Sequence, residues 1–471
     1  MNDNRVQQLR EKVERAGQEH IFRFWNDLTD ESKHKLISQI ELIDFALLKQ
    51  LKVKHIDNPE ERLFSGTLEP PPIIPIPKTE SQKQDAEQAK KIGEKILREG
   101  KVGAILVAGG QGSRLGFDGP KGMFKIGPIS GKTLFQLFAD RINALNKRYS
   151  TIIPWFIMTS QANHQQTIAY FQKNNFFDLN VNDVYFFKQG MIPAIDANGK
   201  VFLDAKDHIF TSPNGHGGTL SALRDSGCLD VMKRRGIEEL FYFQIDNVLI
   251  KICDPIFLGY HHRYGADMSL KVLAKRDPYE KIGVVGKMDG RLTVIEYSDL
   301  PDEDAEARNE DGTLKYRGGS IAIHLFKRKF LEAESSQAKL PYHLAHKKIP
   351  SLDEIGNLVQ PTEPNGYKFE MFIFDALRDA ERAVIMEVDR SKEFSPVKNK
   401  EGVDSAETAR TDLVNYYRWM LEQAGIVMPA NFSPEQSPIE ISDKFALDVE
   451  DLERKIDSSK FRVQFPLYLD E

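Results

Sequence analysis

Apolar residues recur at three- and four-residue intervals through residues 1–52. Val6, Leu9, Val13, Ile21, Phe22, Trp25 and Leu28 form one series, and Leu36, Ile37, Ile40, Ile43, Leu47, Leu48 and Leu51 a second. That spacing predicts two or three amphipathic helices, a scaffold bracing the sheet that follows. Residues 69–78, Glu-Pro-Pro-Pro-Ile-Ile-Pro-Ile-Pro-Lys, forbid helix and sheet interior and read as an extended strap. Ser81-Gln82-Lys83-Gln84 reads as a capping box and Gly100 as a stop, with a helix between them. From 101 to about 390 the pattern alternates. Short apolar runs at 103–108, 153–158, 184–187, 240–245, 267–273 and 283–285 predict strands. Runs of 3.6 periodicity at 133–145, 164–171 and 218–228 predict helices. Such alternation predicts an α/β fold on a largely parallel sheet, with ligands beyond the carboxyl ends of the strands. A helix from Ala406 to Ala424 and Pro- and Asp-containing segments predict a small C-terminal domain. The expected divisions are 1–100, 101–405 and 406–471.

The chemistry gathers just after the predicted strands. The run Ala104–Ala108 is apolar at every position, as in a strand covered on both faces. Gly109-Gly110-Gln111-Gly112-Ser113-Arg114 follows, with Lys121 shortly after. The three glycines would admit positive φ and let backbone N–H groups approach an anion, and Arg114 and Lys121 add charge for phosphates. A dinucleotide fingerprint fails here, because its third glycine would be Leu115. A phosphate-binding P-loop fails at Gly131-Lys132-Thr133, because its first glycine would be Ile126. Gln189, in Gln-Gly-Met-Ile-Pro-Ala, presents a donor and acceptors that suit a uracil edge or an ordinary loop. Gly215-His216-Gly217-Gly218 is a second glycine loop; His216 could bond a sugar hydroxyl. Asp246 ends the run Phe-Tyr-Phe-Gln-Ile and suits either a metal or a helix N-cap. Glu296 lies at the polar end of a strand pair begun by Gly283, and Ser320 in the run Arg317–His324. Phe372 and Phe374 suit a pocket wall or a core. Lys398, in Glu-Phe-Ser-Pro-Val-Lys-Asn, suits a phosphate.

Composition narrows the classes. The 471 residues are 41% hydrophobic and 28% charged, with a net charge of -6. That is the profile of a globular protein, and it argues against general nucleic-acid binding. Two cysteines, Cys228 and Cys253, make no disulfide framework, which suits the cytoplasm. The polar start, Met1 to Arg5, lacks a signal peptide, and no apolar run approaches a membrane span. His261-His262 and His343/His346 lack the companions of a zinc site.

Six strings, at 106–122, 189–194, 215–218, 245–249, 293–298 and 393–399, occur together in one order. In that order they resemble eukaryotic-type UDP-N-acetylhexosamine pyrophosphorylases and the wider UDP-sugar pyrophosphorylase family, from about residue 20 to the end. The resemblance implies a Rossmann-like, GT-A-like nucleotidyltransferase sheet, mixed but mostly parallel. It implies a uridylyltransferase that joins UTP and a sugar 1-phosphate into a UDP-sugar and pyrophosphate with Mg²⁺ or Mn²⁺. By it, Ala108, Gly109, Gly110, Gln189 and Gly215 hold the nucleotide, and Arg114, Lys121 and Lys398 are catalytic. Asp246 holds the metal. His216, Gly283, Glu296, Ser320, Phe372 and Phe374 face the sugar.

Two positions depart from the N-acetylhexosamine pattern. His216 stands where those enzymes carry Asn, as in glucose-type enzymes, and Ser320 also replaces an Asn. N-acetylglucosamine 1-phosphate is the favoured substrate; glucose and galactose 1-phosphates are the alternatives. A catalytically silent nucleotide-sugar sensor and a kinase using Gly131-Lys132-Thr133 are further readings. The full charge set argues against the first and the faulty spacing against the second. A monomer is the default, with no nucleic-acid or membrane partner.

Overall fold

The computed structural model describes residues 3–58, 66–337 and 340–470. The chain packs as two units that cut across the expected divisions. One comprises Met1–Ser65, Gln189–Gly218 and Leu340–Asp375; the other comprises Gly66–Lys188, Thr219–Lys339 and Ala376–Glu471.

The larger unit is built on a mixed sheet. Its strands run in the order Leu68–Glu69, Val284–Met288, Gly318–Lys327, Glu239–Gln244, Val102–Val107, Trp155–Thr159 and Val184–Lys188. The last four are mutually parallel. Gly318–Lys327 turns the sheet antiparallel and also pairs with Met268–Ala274, which runs parallel to Ala383–Glu387. Gly103, Ala104, Ile105 and Leu106 are buried, as the unbroken apolar run predicts. Each large apolar side chain so buried contributes about 1.5–3 kcal/mol.

Helices cover the sheet. Glu80–Arg98 precedes the Val102–Val107 strand and ends at Gly100, whose φ is 68°. Its capping box sits at Thr79 and Gln82, two residues before the expected Ser81, because the turn after the prolines sets the first helical φ/ψ at Glu80. This helix packs on Pro255–Arg263 at two glycines. A Cβ at Gly93 would lie 1.9 Å from Pro255 O, and one at Gly259 1.7 Å from Ala89 O. The expected helix over 218–228 is two, Thr219–Asp225 and Cys228–Arg234, broken by Gly227 at φ 73°.

The proline-rich strap is extended and joins the sheet. Ile74 N donates to Ile385 O (2.8 Å), and Glu387 N donates to Ile74 O (2.9 Å). Residues after 406 do not form a core of their own. Leu413, Tyr417, Leu421, Ile439, Ile441 and Leu452 belong to the same buried cluster as the sheet. Cys228 and Cys253 are buried and unpaired.

The smaller unit gathers three separate chain segments. Its helices Asp3–Arg15, Asp30–Leu42 and Phe45–Lys52 follow the predicted periodicity. Expected to brace the sheet, they instead share a core with Ile192, Ile195, Val201, Leu203, Ile209 and Phe369. Those residues lie on or beside short antiparallel ribbons, such as Met191–Pro193 with Thr211–Pro213 and Tyr342–Lys347 with Gly366–Met371. Among the described residues no helix is long and apolar enough to cross a membrane.

Candidate active site

The site residues of the larger unit emerge where two neighbouring parallel strands end. Val107 is in register with Gln244, and Ile245 N donates to Val107 O (3.1 Å). The glycine loop and Asp246 therefore leave from adjacent strand ends.

Main-chain bonds close the loop. Lys121 N donates to Gly110 O (3.1 Å) and Gly112 N to Gly119 O (2.8 Å). Asn163, fully buried, donates from Nδ2 to Ala108 O (2.9 Å) and Gly110 O (3.4 Å). Nothing lies within 4 Å of where a Gly110 Cβ would stand, so its backbone is open to a ligand. None of Gly109, Gly110 and Gly112 takes up the positive φ that glycine admits. The left-handed residues are Gly116 (φ 70°) and Gly119 (φ 142°), because the chain reverses there and not at the anion-facing turn.

Four charges gather beside this loop. The half-buried Lys121 donates from Nζ to Val397 O (3.1 Å). Burial pushes its ammonium below the ordinary lysine range; the Asp246 carboxylate opposes that shift, while Lys398 and Arg114 reinforce it. These couplings bring Arg114, Lys121, Asp246 and Lys398 within electrostatic reach of one another. Asp246 is not a helix N-cap, since the next helix starts at Pro255 and is capped by Asp254. Its backbone O accepts from Val397 N (2.9 Å), which ties the strand end to the segment carrying Lys398. Lys398 and Arg114 are exposed. Cations so grouped would repel one another without an anion, so the arrangement suits a polyphosphate.

Three further candidates meet on the antiparallel side. Val284 pairs with Ile295 and with Gly319, so Gly283, Glu296 and Ser320 fall together. Ser320 N donates to Gly283 O (2.8 Å), and a Cβ at Gly283 would lie 3.4 Å from Glu296 Oε1. The hairpin turns at Asp289-Gly290, both at positive φ.

The smaller unit holds the rest. Buried Gln189 donates from Nε2 to Gly215 O (2.6 Å), joining two nucleotide candidates. Gly215, Gly217 and Met371 are packed so tightly that a Cβ at Gly215 would stand 2.3 Å from Met371 O. The His216 ring stacks on Phe372 (5.3 Å) and lies 5.6 Å from the Phe374 ring. Ile373 N donates to His216 Nδ1 (3.2 Å), which fixes the tautomer protonated at Nε2. Burial lowers this imidazole to about 4, so it is neutral near pH 7. On the other face of this cluster His343 stacks on Phe372 (4.4 Å), and its Nε2 bonds Asp375 Oδ2 (2.7 Å).

The donor set fits magnesium or manganese. Asp246 presents a single carboxylate, and among the described residues no group of three or more His, Cys, Asp or Glu could enclose an ion. A hard cation bound here would draw its other oxygens from phosphates and water, the usual arrangement for Mg²⁺.

Gly131-Lys132-Thr133 has a different occupant. Ile129 N, Ser130 N and Ser130 Oγ donate to the carboxylate of buried Glu440 at 2.7, 2.7 and 2.5 Å. Lys132 Nζ pairs with Asp140 (2.8 Å), and Thr133 caps the following helix. An internal carboxylate thus takes the donors a phosphate would need, which removes the kinase reading.

Sequence reading missed Asn163, a polar residue in a loop context whose bonds to Ala108 O and Gly110 O appear only in the folded chain.

Known proteins are similar to this chain over most of its length. The UTP–glucose-1-phosphate uridylyltransferase family matches residues 61–460. The human UDP-N-acetylhexosamine pyrophosphorylase-like protein 1 is 37% identical, the match covering 99% of this chain and 97% of that protein. The UDP-N-acetylglucosamine pyrophosphorylase of Saccharomyces cerevisiae is 37% identical over 88% of this chain and 90% of its own. Among solved structures, the uridine diphosphate N-acetylglucosamine pyrophosphorylase of Trypanosoma brucei, in complex with an inhibitor, superposes with a TM-score of 0.85. It is 25% identical, with 100% of this chain and 99% of that one covered. With its family's match running from the strap to the C-terminal segment, the chain belongs to the UTP–glucose-1-phosphate uridylyltransferase family.

Proposed function

We propose that the protein transfers uridylyl from UTP to N-acetylglucosamine 1-phosphate, releasing pyrophosphate and UDP-N-acetylglucosamine. The observation that carries this reading is the cluster of Arg114, Lys121, Asp246 and Lys398 at adjacent strand ends, beside an open glycine backbone. Relatives named for this activity, matched over most of their length, support it.

A sugar-phosphate oxygen attacks the α-phosphorus of UTP and pyrophosphate departs opposite. The nucleophile is already ionised at neutral pH, so no general base is required. The chain must align two mutually repelling anions and stabilise charge on the transferring group. Arg114 and Lys121 hold the departing phosphates, and Lys398 neutralises the phosphate at the reacting centre. Asp246 would hold Mg²⁺ or Mn²⁺, which when bound neutralises phosphate charge. Ala108, Gly109 and Gly110 offer backbone, and Gln189 with Gly215 reads the uracil. Gly283, Glu296, Ser320, His216, Phe372 and Phe374 select the sugar. The two buried free thiols suit a reducing compartment, the cytoplasm, and a monomer is the default state of the proposal.

His216 and Ser320 carry the second reading, glucose or galactose 1-phosphate. Pyrophosphate release from UTP and Mg²⁺, measured across a panel of sugar 1-phosphates with ATP as control, decides between them. Preference for N-acetylglucosamine 1-phosphate is the expected result. Preference for glucose or galactose 1-phosphate transfers the assignment, and tight UDP-sugar binding without turnover identifies a sensor.

A further inference from the structure

A fully buried lysine needs a reason. Lys271, on the Met268–Ala274 strand, has no exposed surface, and its ammonium donates to Asp254 Oδ2 (2.6 Å) and Glu393 Oε2 (2.5 Å). Burying such charges carries a large desolvation cost before their attraction is counted, and hydrophobic replacements are often no less stable. Stability alone therefore explains the cluster poorly. Its geometry offers another explanation. Glu393 begins the segment that ends at Lys398, and Asp254 lies in the chain that leaves Asp246. Lys271 thus ties together the two segments that carry the metal candidate, Asp246, and the phosphate candidate, Lys398.

Asn247 completes the tie. Its Nδ2 donates to Glu393 O (2.7 Å), and its Oδ1 accepts from Ser395 N (3.0 Å) and Leu249 N (3.3 Å). The one amide supplies both the donor and the acceptor, on two separate atoms. Val397 N then bonds Asp246 O, and Lys121 Nζ bonds Val397 O. Ser395 Oγ is held by Asp412 Oδ2 (2.6 Å). Glu393, Ser395, Pro396 and Val397 are buried, Phe394 is half-buried with its N donating to Arg390 O (3.0 Å), and the Lys398 side chain is exposed. Lys398 N donates to Asp404 O (2.7 Å) and its ammonium lies 6.0 Å from the Phe394 ring centre, so an exposed cation rises from an anchored main chain.

We infer that Asn247 is a positioning residue for the uridylyl transfer, setting Lys398 against Asp246 and Lys121 through the main chain of residues 393–397, with the buried Asp254–Lys271–Glu393 cluster as its support. The inference rests on the proposed reaction, in which Lys398 serves the phosphate at the reacting centre. A misplacement of about 1 Å can cost up to a hundredfold in rate, so a positioning role predicts a kinetic loss larger than any loss of folding.

The test is a double-mutant cycle on the full chain, using pyrophosphate release from UTP and the preferred sugar 1-phosphate. Asn247→Ala is expected to lower kcat about tenfold or more with KM for UTP changed less than twofold. In a Lys398→Ala background the same substitution is expected to have no further effect on kcat, because its target is already gone. A purely structural residue would lower kcat by the same factor in both backgrounds, and that result overturns the inference. So does a folded Asn247→Ala enzyme with wild-type kcat. Asn247→Asp, of the same shape but without the donor, carries the cycle where the alanine variant does not fold. A wild-type chain that releases no pyrophosphate with any sugar phosphate refutes the reaction itself, a result separate from either outcome of the cycle.

Discussion

The two units hold their candidate site residues by different means. In the larger unit the residues are charged and sit at the ends of hydrogen-bonded strands: Arg114, Lys121, Asp246 and Lys398 share two neighbouring strand ends and one returning segment. In the smaller unit they are neutral. Gln189, His216, Phe372 and Phe374 are set by ring stacking and single hydrogen bonds within and between two segments distant in sequence. The contrast follows from the chemistry. Phosphate charge is recognised by fields that fall off slowly and can be supplied by exposed, mobile cations. A base or a sugar is recognised by shape and hydrogen-bond direction, which requires rigid, partly desolvated groups.

If this division is right, substitutions in the larger unit should strike turnover and those in the smaller unit recognition. Arg114→Ala or Lys398→Ala should each cost on the order of 3 kcal/mol of transition-state stabilisation, roughly a hundredfold in kcat. Steady-state pyrophosphate release measures this, and wild-type turnover in both variants would end the assignment of the charge set. A smaller effect of a different kind is expected from Gln189→Ala. Loss of a buried hydrogen-bonding amide should raise KM for UTP about tenfold, with kcat kept within a few-fold. A kcat collapse with unchanged KM would move Gln189 to the catalytic side.

Titration sharpens the contrast further. Lys121 is pushed down by burial, so its positive charge is lost at a lower pH than a free lysine would lose it. The rate should therefore fall on the alkaline side below the usual lysine range of about 10.4, and Lys121→Arg should shift that fall to higher pH. Unaltered alkaline behaviour in Lys121→Arg would exclude Lys121 as the titrating group. His216 should show the smallest effect. With a folded value of about 4 against an unfolded value of 6.5, the unfolded chain binds more protons between those limits. Stability contributed by neutral His216 is then complete above pH 6.5 and is lost as pH falls toward 4. His216→Asn should flatten part of the decline in melting temperature between pH 7 and 5, and NMR of the imidazole should show it neutral at pH 6. A ring protonated at pH 6 would contradict the buried, Nδ1-accepting geometry.

Local errors in reading the chain have specific causes. The helix after the strap starts one turn-setting threonine earlier than Ser81, since Thr79 and Gln82 satisfy each other's groups as well as Ser81 and Gln84 would. Gly227 breaks the 218–228 helix through a left-handed φ that periodicity does not register. Gly131-Lys132-Thr133 failed as a phosphate loop on spacing alone, and the structure adds the reason, Glu440 in the place of the phosphate.

The amino-acid sequence by itself determined the layers and the chemistry on offer. Apolar runs without alternation dictate buried parallel strands, and glycines, Arg114, Lys121, Asp246 and Lys398 after those runs mark a candidate anion site, because both signals are local in the chain. Which residues meet was decided only by tertiary structure. Asn247 and Lys271 look like any loop amide and any strand lysine until Glu393, more than a hundred residues away, supplies the partner. The division into two units was likewise invisible, since the smaller one is assembled from three segments whose apolar residues find each other only after folding. Long-range hydrogen bonds and buried ion pairs leave no periodic trace along the chain, and it is these that turn a set of charges into a site.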